Sequence, residues 1–376
     1  MNTLGITFIV AATALSLSMN AQEDVTVRWD RSTETKIALE GVYARVIRLD
    51  DATHLAVYED FTGRAVVSHC SDPDGLEWGD VSTMFDMLGW VGESGGVGMK
   101  AANPEVRQLS DGTIIGVCNY RPNEQGLGPY CIAVTRSLDR GHSWEAPKII
   151  YEAGLYARDG CWEPSILELP DGTVQIYFAN EAPYPYTAEQ EISMIQSTDR
   201  GLTWSDSPVT VCFREGGRDG MPVPAIIGDE IVLVIEDNVR GQLQPYTVRT
   251  KVTDGWAFPV SGDSPRREFC LSGNVPGHIY MGAPYLIVLP DGHTLLSCQT
   301  TGGRDNNWER SCMEVAVGDG SARNFVSQSR PFDVPVYREG KWNSISVWDD
   351  HTVIAVSSTN KDGMAVAPWI VKGYIE

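Results

Sequence analysis

The chain repeats itself every 60 residues, and that period limits the possible folds more than any other feature. Pro104, Pro164, Pro224 and Pro284 stand 60 residues apart, and each opens an apolar run. The same step reaches Ala44 in "YARVIRLDD" and Ser344 in "WNSISVWDD". A turn follows within a few residues in every copy: Asp51, Asp111-Gly112, Asp171-Gly172, Gly228-Asp229, Asp291-Gly292 and Asp350. A second apolar run then begins, as in "TIIGVC", "TVQIYF", "EIVLVI" and "TLLSC". Short strands separated by hairpin turns, repeated at this length without helical periodicity, describe the blades of a propeller. A solenoid is disfavoured, because the repeat is long for one and holds no helix-period stretch. The expected fold class is all-β: a six-bladed β-propeller with four antiparallel strands per blade. Blades should begin near residues 42, 102, 162, 222, 282 and 342, with the segment 25–36 closing the last one.

A second signature lies between the third and fourth strands. "SLDRGHSW" (137–144) and "STDRGLTW" (197–204) share the pattern Ser-x-Asp-x-Gly-x-x-Trp, and "SDPDGLEW" (71–78) is a worn copy. The Asp can accept amides of its own turn, Gly supplies a positive φ, and Trp packs on the blade. These turns resemble the Asp boxes of sialidase-type propellers, which lie on the face away from the chemistry.

Residues 1–21 read as a secretory leader, with an apolar stretch from Leu4 to Met19 that is short for a membrane span of roughly 20 residues. The expected product is one secreted or periplasmic domain, residues 22–376, a monomer with no membrane insertion after processing. A formal charge of −21 argues against nucleic acid and anionic membranes as partners.

In a propeller the first strand of each blade lines the axis and the second climbs back to the active face. Residues at the head of strand one and the end of strand two should therefore ring the mouth. They include Arg45, Asn103, Tyr120, Asn180, Arg218, Asp219, Asn238, Tyr280 and Trp342, a set of amides, charges and aromatics suited to a sugar. Tyr337, just upstream of the last blade, is expected to bind substrate with them. Glu163 heads strand one of blade three and Glu236 ends strand two of blade four, and two facing carboxylates are the requirement of glycoside hydrolysis.

The stretches "YARVIRLDD", "CWEPSI", "RDGMPVP" and "VIEDN", with the Ser-x-Asp turns, resemble the sialidase superfamily and most of all glycoside hydrolase family 93, the exo-arabinanases. Ala44 departs from the proline usual there. The resemblance implies a retaining exo-glycosidase acting on an oligo- or polysaccharide such as 1,5-α-L-arabinan, with Glu163 as acid/base and Glu236 as nucleophile. A retaining pair stands about 5–5.5 Å apart. Two other readings stay open. A sialidase would need three arginines on one carboxylate and a Tyr–Glu pair, for which Tyr280 or Tyr337 could serve. A carbohydrate-binding propeller without catalysis would need only the rim aromatics.

No metal or cofactor is expected. The six histidines are scattered and several sit at turns on the far face, and no nucleophile elbow or phosphate loop occurs. Of the eight cysteines, Cys118 and Cys131, and likewise Cys298 and Cys312, should lie on neighbouring strands, either as bridges or as buried thiols.

Overall fold

The computed structural model describes residues 25–92 and 95–376; the expected leader lies outside these residues. Six antiparallel sheets surround one axis. Their innermost strands are Val42–Arg48, Gly95–Gln108, Cys161–Glu168, Asp219–Ile227, Met281–Val288 and Gly340–Val347. Each packs on the next, around to the first. Blade six is completed by Val27–Lys36, which pairs antiparallel with Ala367–Ile375 and so closes the ring with a strand from the other end of the chain. Two additions break the symmetry. Leu88–Gly92 pairs back onto an upstream extension of blade two's inner strand, and Val260–Ser261 adds a parallel strand to the edge of blade three.

The apolar alternation read from the sequence is spent between blades. Six clusters of buried apolar side chains fill the six blade interfaces, for example Leu55, Met99 and Ile114 between blades one and two, and Tyr177, Leu233 and Trp256 between three and four. The Ser-x-Asp turns pin these interfaces from outside. The Asp139 carboxylate accepts from the Ser143 amide (2.9 Å) and the Ser137 hydroxyl (2.8 Å), and Trp144 donates to the Gly141 carbonyl at 3.1 Å. These donors, the Ser143 hydroxyl foremost, draw the Asp139 carboxyl down to about 2. Asp199 and Trp204 repeat the arrangement. Gly141 (φ 89°) and Gly201 (φ 84°) have a second reason to be glycine. A Cβ there would lie 2.5 Å from Leu55 and 2.8 Å from Ile115, each on the preceding blade.

Every inner strand carries the same irregularity. The ladder slips at Val42/Arg45, Ala102/Glu105, Trp162/Ser165, Gly220/Val223, Gly282/Tyr285 and Lys341/Ser344. The first residue inside each slip is left-handed: Tyr43, Asn103, Glu163, Met221, Ala283 and Trp342, with φ between 47° and 58°. Such a bulge re-aims its side chain. Here it does so six times around one axis. The slip also corrects the sequence register. The residue after the left-handed one is Pro104, Pro164, Pro222 or Pro284, so Pro222 and not Pro224 is the repeat proline, and Asn343 and not Ser344 is its counterpart in blade six. Proline fits because a bulged residue has no ladder bond to lose.

All eight cysteines are buried free thiols. Cys131 pairs with Tyr120 and Cys118 with Ala133, and Cys312 pairs with Thr300 while Cys298 pairs with Glu314. Each expected pair is thus diagonal on neighbouring strands, two residues out of register.

Candidate active site

The bulges bring backbone amides to the axis, and carboxylates and amides from neighbouring strands meet them. The Asn103 amide donates to Glu59 (2.7 Å), Ala283 to Glu236 (2.8 Å), Trp342 to Gln299 (2.7 Å) and Tyr43 to Ser358 (2.9 Å). In each case the acceptor stands at one register position, near the end of strand two of the preceding blade. Blade three has Ala179 at that position, which cannot accept. There Glu163 itself reaches over and accepts from the Met221 amide at 3.2 Å. Glu163 and Glu236 therefore sit side by side, each holding the bulge of the next blade.

Glycines make room for the second carboxylate. A Cβ on Gly220 would stand 2.9 Å from Glu236 Oε1, and one on Gly282 would stand 2.5 Å from Glu236 Oε2 and 2.4 Å from the Tyr280 hydroxyl. Glu236 is consequently 8 % exposed and flanked by Tyr280, while Glu163 is half-buried and faces the opening. Burial raises both carboxyls. Glu236 is pushed up to about 8, first by burial and then by the charge of Glu163, against the opposing pull of the Ala283 amide. Glu163 is raised by burial and pulled back by Arg121, the Met221 amide and Arg218. Burial and the repulsion between the two carboxyls thus favour the protonated form, most strongly for Glu236.

Two guanidiniums frame Glu163. Arg121 donates to Asn119 Oδ1 (2.7 Å) and to Asn103 Oδ1, and stacks 5.0 Å over Trp162. Arg218 donates to Glu181, to Gln190 Oε1 (2.6 Å) and to the Ala188 carbonyl (2.9 Å), and its own amide donates to Asn238 Oδ1 at 3.0 Å. On the other side, an aromatic row runs from Tyr280 to Trp308 (6.3 Å), Trp342 (6.2 Å) and Tyr43 (6.0 Å). Gln299 ties the row together, donating to the Tyr280 hydroxyl at 2.8 Å while accepting the Trp342 amide.

Below the carboxylates the axis is shut. Tyr43 of blade one meets Met221 of blade four, diametrically opposite, with Ala283 beside them. A polar layer follows. Arg45 lies 4.0 Å over the Tyr43 ring and pairs with Glu105 at 3.3 Å, and Tyr285 donates to Glu105 across the axis at 3.0 Å.

The structure thus gathers Glu163, Glu236, Asn103, Arg218, Asn238, Tyr280 and Trp342 around one opening. Four expected mouth residues lie elsewhere. Arg45 is sealed beneath the floor. Tyr120 is 1 % exposed in the blade one–two core, its hydroxyl donating to the Asp86 carbonyl (2.8 Å). Asn180 is consumed by Tyr151, Ser193 and the Ala182 amide. Asp219 is wholly buried against Arg267, which also pairs with Asp237. The physical reason is shared by the strand-end residues. Side chains alternate, so position at a strand end fixes height but leaves open whether the residue faces the axis or the next blade. Tyr337 is at the correct end of its blade but stands exposed under Arg338, apart from the pair. Trp162 and Gln190 also belong to the surroundings of the pair; Trp162 stands next to Glu163 within "CWEPSI", the signal that could have marked it, while Gln190 lies in no such stretch.

No family model and no curated protein sequence matches the chain. Solved structures match it closely in shape. A protein of unknown function from Dyadobacter fermentans superimposes with a TM-score of 0.68 at 16 % identity, over 93 % of this chain and 99 % of that one. The α-L-arabinanase of Penicillium chrysogenum, complexed with arabinobiose, gives 0.66 at 15 % identity over 90 % and 94 %. The family 93 α-L-arabinofuranosidase of Fusarium graminearum, also with arabinobiose, gives 0.64 at 18 % identity over 88 % and 92 %. At these identities the likeness is one of fold: the chain is built on the six-bladed propeller that those structures share.

Proposed function

We propose that the protein is a secreted, exo-acting, retaining glycoside hydrolase that releases short neutral sugars from a plant-type polysaccharide such as 1,5-α-L-arabinan. The observation that carries this reading is the pair Glu163 and Glu236, two mutually repelling carboxyls, both raised by burial, side by side over a closed floor. The arabinobiose bound in two of the similar structures supports the choice of sugar.

The arginines favour a neutral ring over a carboxylated one. Arg45 lies below the floor, Arg121 and Arg218 are already held by Asn, Glu and Gln side chains, and Arg304 donates to the carbonyls of Arg310, Val334, Pro335 and Arg338. A sialidase-type reading draws its support from the Tyr280 hydroxyl beside Glu236, but the guanidiniums beside the pair are Arg121 and Arg218, two of the three it requires, and both are already held by protein side chains.

In the proposed reaction Glu163, on the open side where leaving group and water must pass, protonates the departing oxygen. Glu236, enclosed and oriented by the Ala283 amide, attacks the anomeric carbon, and water then releases the glycosyl-enzyme with Glu163 as base. The reaction requires Glu236 ionised and Glu163 protonated, so substrate binding has to leave the proton on Glu163 before the glycosidic bond breaks. The test is turnover of arabinan and of a sialoside by the purified protein, with Glu163→Gln and Glu236→Gln assayed on poor and activated leaving groups. Glu163→Gln should lose the poor substrate and spare the activated one by at least about 100-fold, the scale of general acid catalysis. Glu236→Gln should lose both. The reverse pattern would exchange the roles, and full activity in both variants would remove the site.

A further inference from the structure

On the face away from the carboxylate pair, the seam of blades one and two brings together residues that are far apart in the chain. His69 is next to last in the third strand of blade one (Ala65–Cys70), Asp80 is second in the fourth (Gly79–Phe85), and His142 belongs to the Ser-x-Asp turn of blade two. Their ligand atoms lie within 4.8 Å of one another, and among the described residues they form the group of metal-binding donor types that converges most clearly. The His142 Nδ1 stands 2.9 Å from Asp80 Oδ2, and the two imidazoles are parallel, 4.4 Å apart. They border an open, acid-lined cavity of about 880 Å³ that also holds Asp72, Asp74 and Glu77.

The second observation is the environment of His69. Its Nε2 lies 2.9 Å from the Arg140 carbonyl and its Nδ1 lies 3.0 Å from the Asp80 carbonyl. A neutral imidazole carries one N–H and satisfies one of these contacts, while a second proton or a bound cation at the other nitrogen accounts for both. A cation at Nδ1, beside Asp80, would take that second place. The remaining Nε2–H then donates to Arg140, which is the outer hydrogen bond that metal-bound histidines characteristically make. The neighbouring Arg140 side chain does not oppose a cation, because it is paired with Asp50 and Asp51.

We propose that His69, Asp80 and His142 bind a divalent transition-metal ion of the zinc class, two nitrogens and one carboxylate oxygen with a position open to solvent. Imidazole donors select such an ion over calcium or magnesium, which prefer oxygen. Closing on one ion requires the exposed His142 ring to turn out of its parallel stack with His69, so that both lone pairs point at the ion, and the exposed Asp80 carboxylate to follow. The ion would staple blade one to blade two and leave the proposed sugar site untouched.

The test is calorimetric titration of ZnCl₂ into the full chain after chelator treatment and desalting. One saturable equivalent is expected, with a rise in melting temperature that scales with zinc concentration. His142→Ala and Asp80→Asn, both at exposed positions, should each weaken binding by more than about 100-fold, since outer partners of metal ligands alone are worth 10–100-fold. Their metal-free melting temperatures should match the parent and so report intact folding. Absence of saturable binding, parental affinity in both variants, or displacement of zinc by excess calcium would each overturn the site.

Discussion

At the residue scale, Glu236 holds a neighbouring blade through the Ala283 amide and is also a raised carboxyl beside Glu163, and the two duties can be separated by substitution. A carboxyl raised from 4.5 to about 8 is one whose neutral form the fold favours. That contribution is complete below about pH 4.5 and is lost as pH rises through about 8. In Glu236→Gln the side chain stays neutral and still accepts from Ala283. The melting temperature of the parent should therefore fall relative to this variant between about pH 5 and about pH 9, and a constant difference would argue against a raised carboxyl. Glu236→Ala removes the acceptor and should cost about 1–3 kcal/mol, the penalty for orphaning a buried amide, measurable by urea unfolding. On an active substrate, kcat/KM should decline above about pH 8 as the last proton leaves the pair. The candidate pair was legible in the sequence because strand phase and the repeat gave each glutamate a height on the axis. Arg45, Tyr120, Asn180 and Asp219 show the limit of that reasoning: height was readable, facing was not.

At the scale of elements, the repeat could be read because its markers are local. Proline at a bulge and Asp-Gly at a hairpin answer to the backbone of their own few residues. The slip from Pro224 to Pro222 arose because proline occurs twice in "MPVP", and only the ladder tells which one sits in the bulge. The left-handed residue ahead of it was not readable, since Tyr, Asn, Glu, Met, Ala and Trp share no preference for that conformation; the surrounding ring imposes it. Nor could sequence decide the cysteines, where a diagonal offset of two residues distinguishes neighbours from partners. The Ser-x-Asp turns give a direct test of interface pinning. Gly141→Ala combines a positive φ with a Cβ placed 2.5 Å from Leu55, and should destabilise by about 2–4 kcal/mol, lowering the melting temperature by several degrees. Gly112→Ala has a similar φ but open space around its Cβ, and should cost only the backbone strain of about 1–2 kcal/mol. Equal losses would show that the contact with the preceding blade is unimportant.

For the whole molecule, closure depends on one strand. Val27–Lys36 completes blade six, and Val27 and Trp29 enter the blade five–six core. Deleting residues 25–36 should expose the edge of Ala367–Ile375, lower the melting temperature sharply and promote association through the bared strand, visible by light scattering. The shut axis acts at the same scale. With Tyr43 meeting Met221, and Glu105 meeting Tyr285, across the ring, the axis is closed beneath the carboxylates. On the proposed exo-acting reading this governs traffic: the polymer enters by its tip, no exit runs through the floor, and the fragment cut from that tip lies beneath the chain it came from. The remaining polymer must back out before the fragment can leave, so each cleavage ends an encounter, long chains shorten evenly across the population, and accumulating product competes for the doorway that substrate needs.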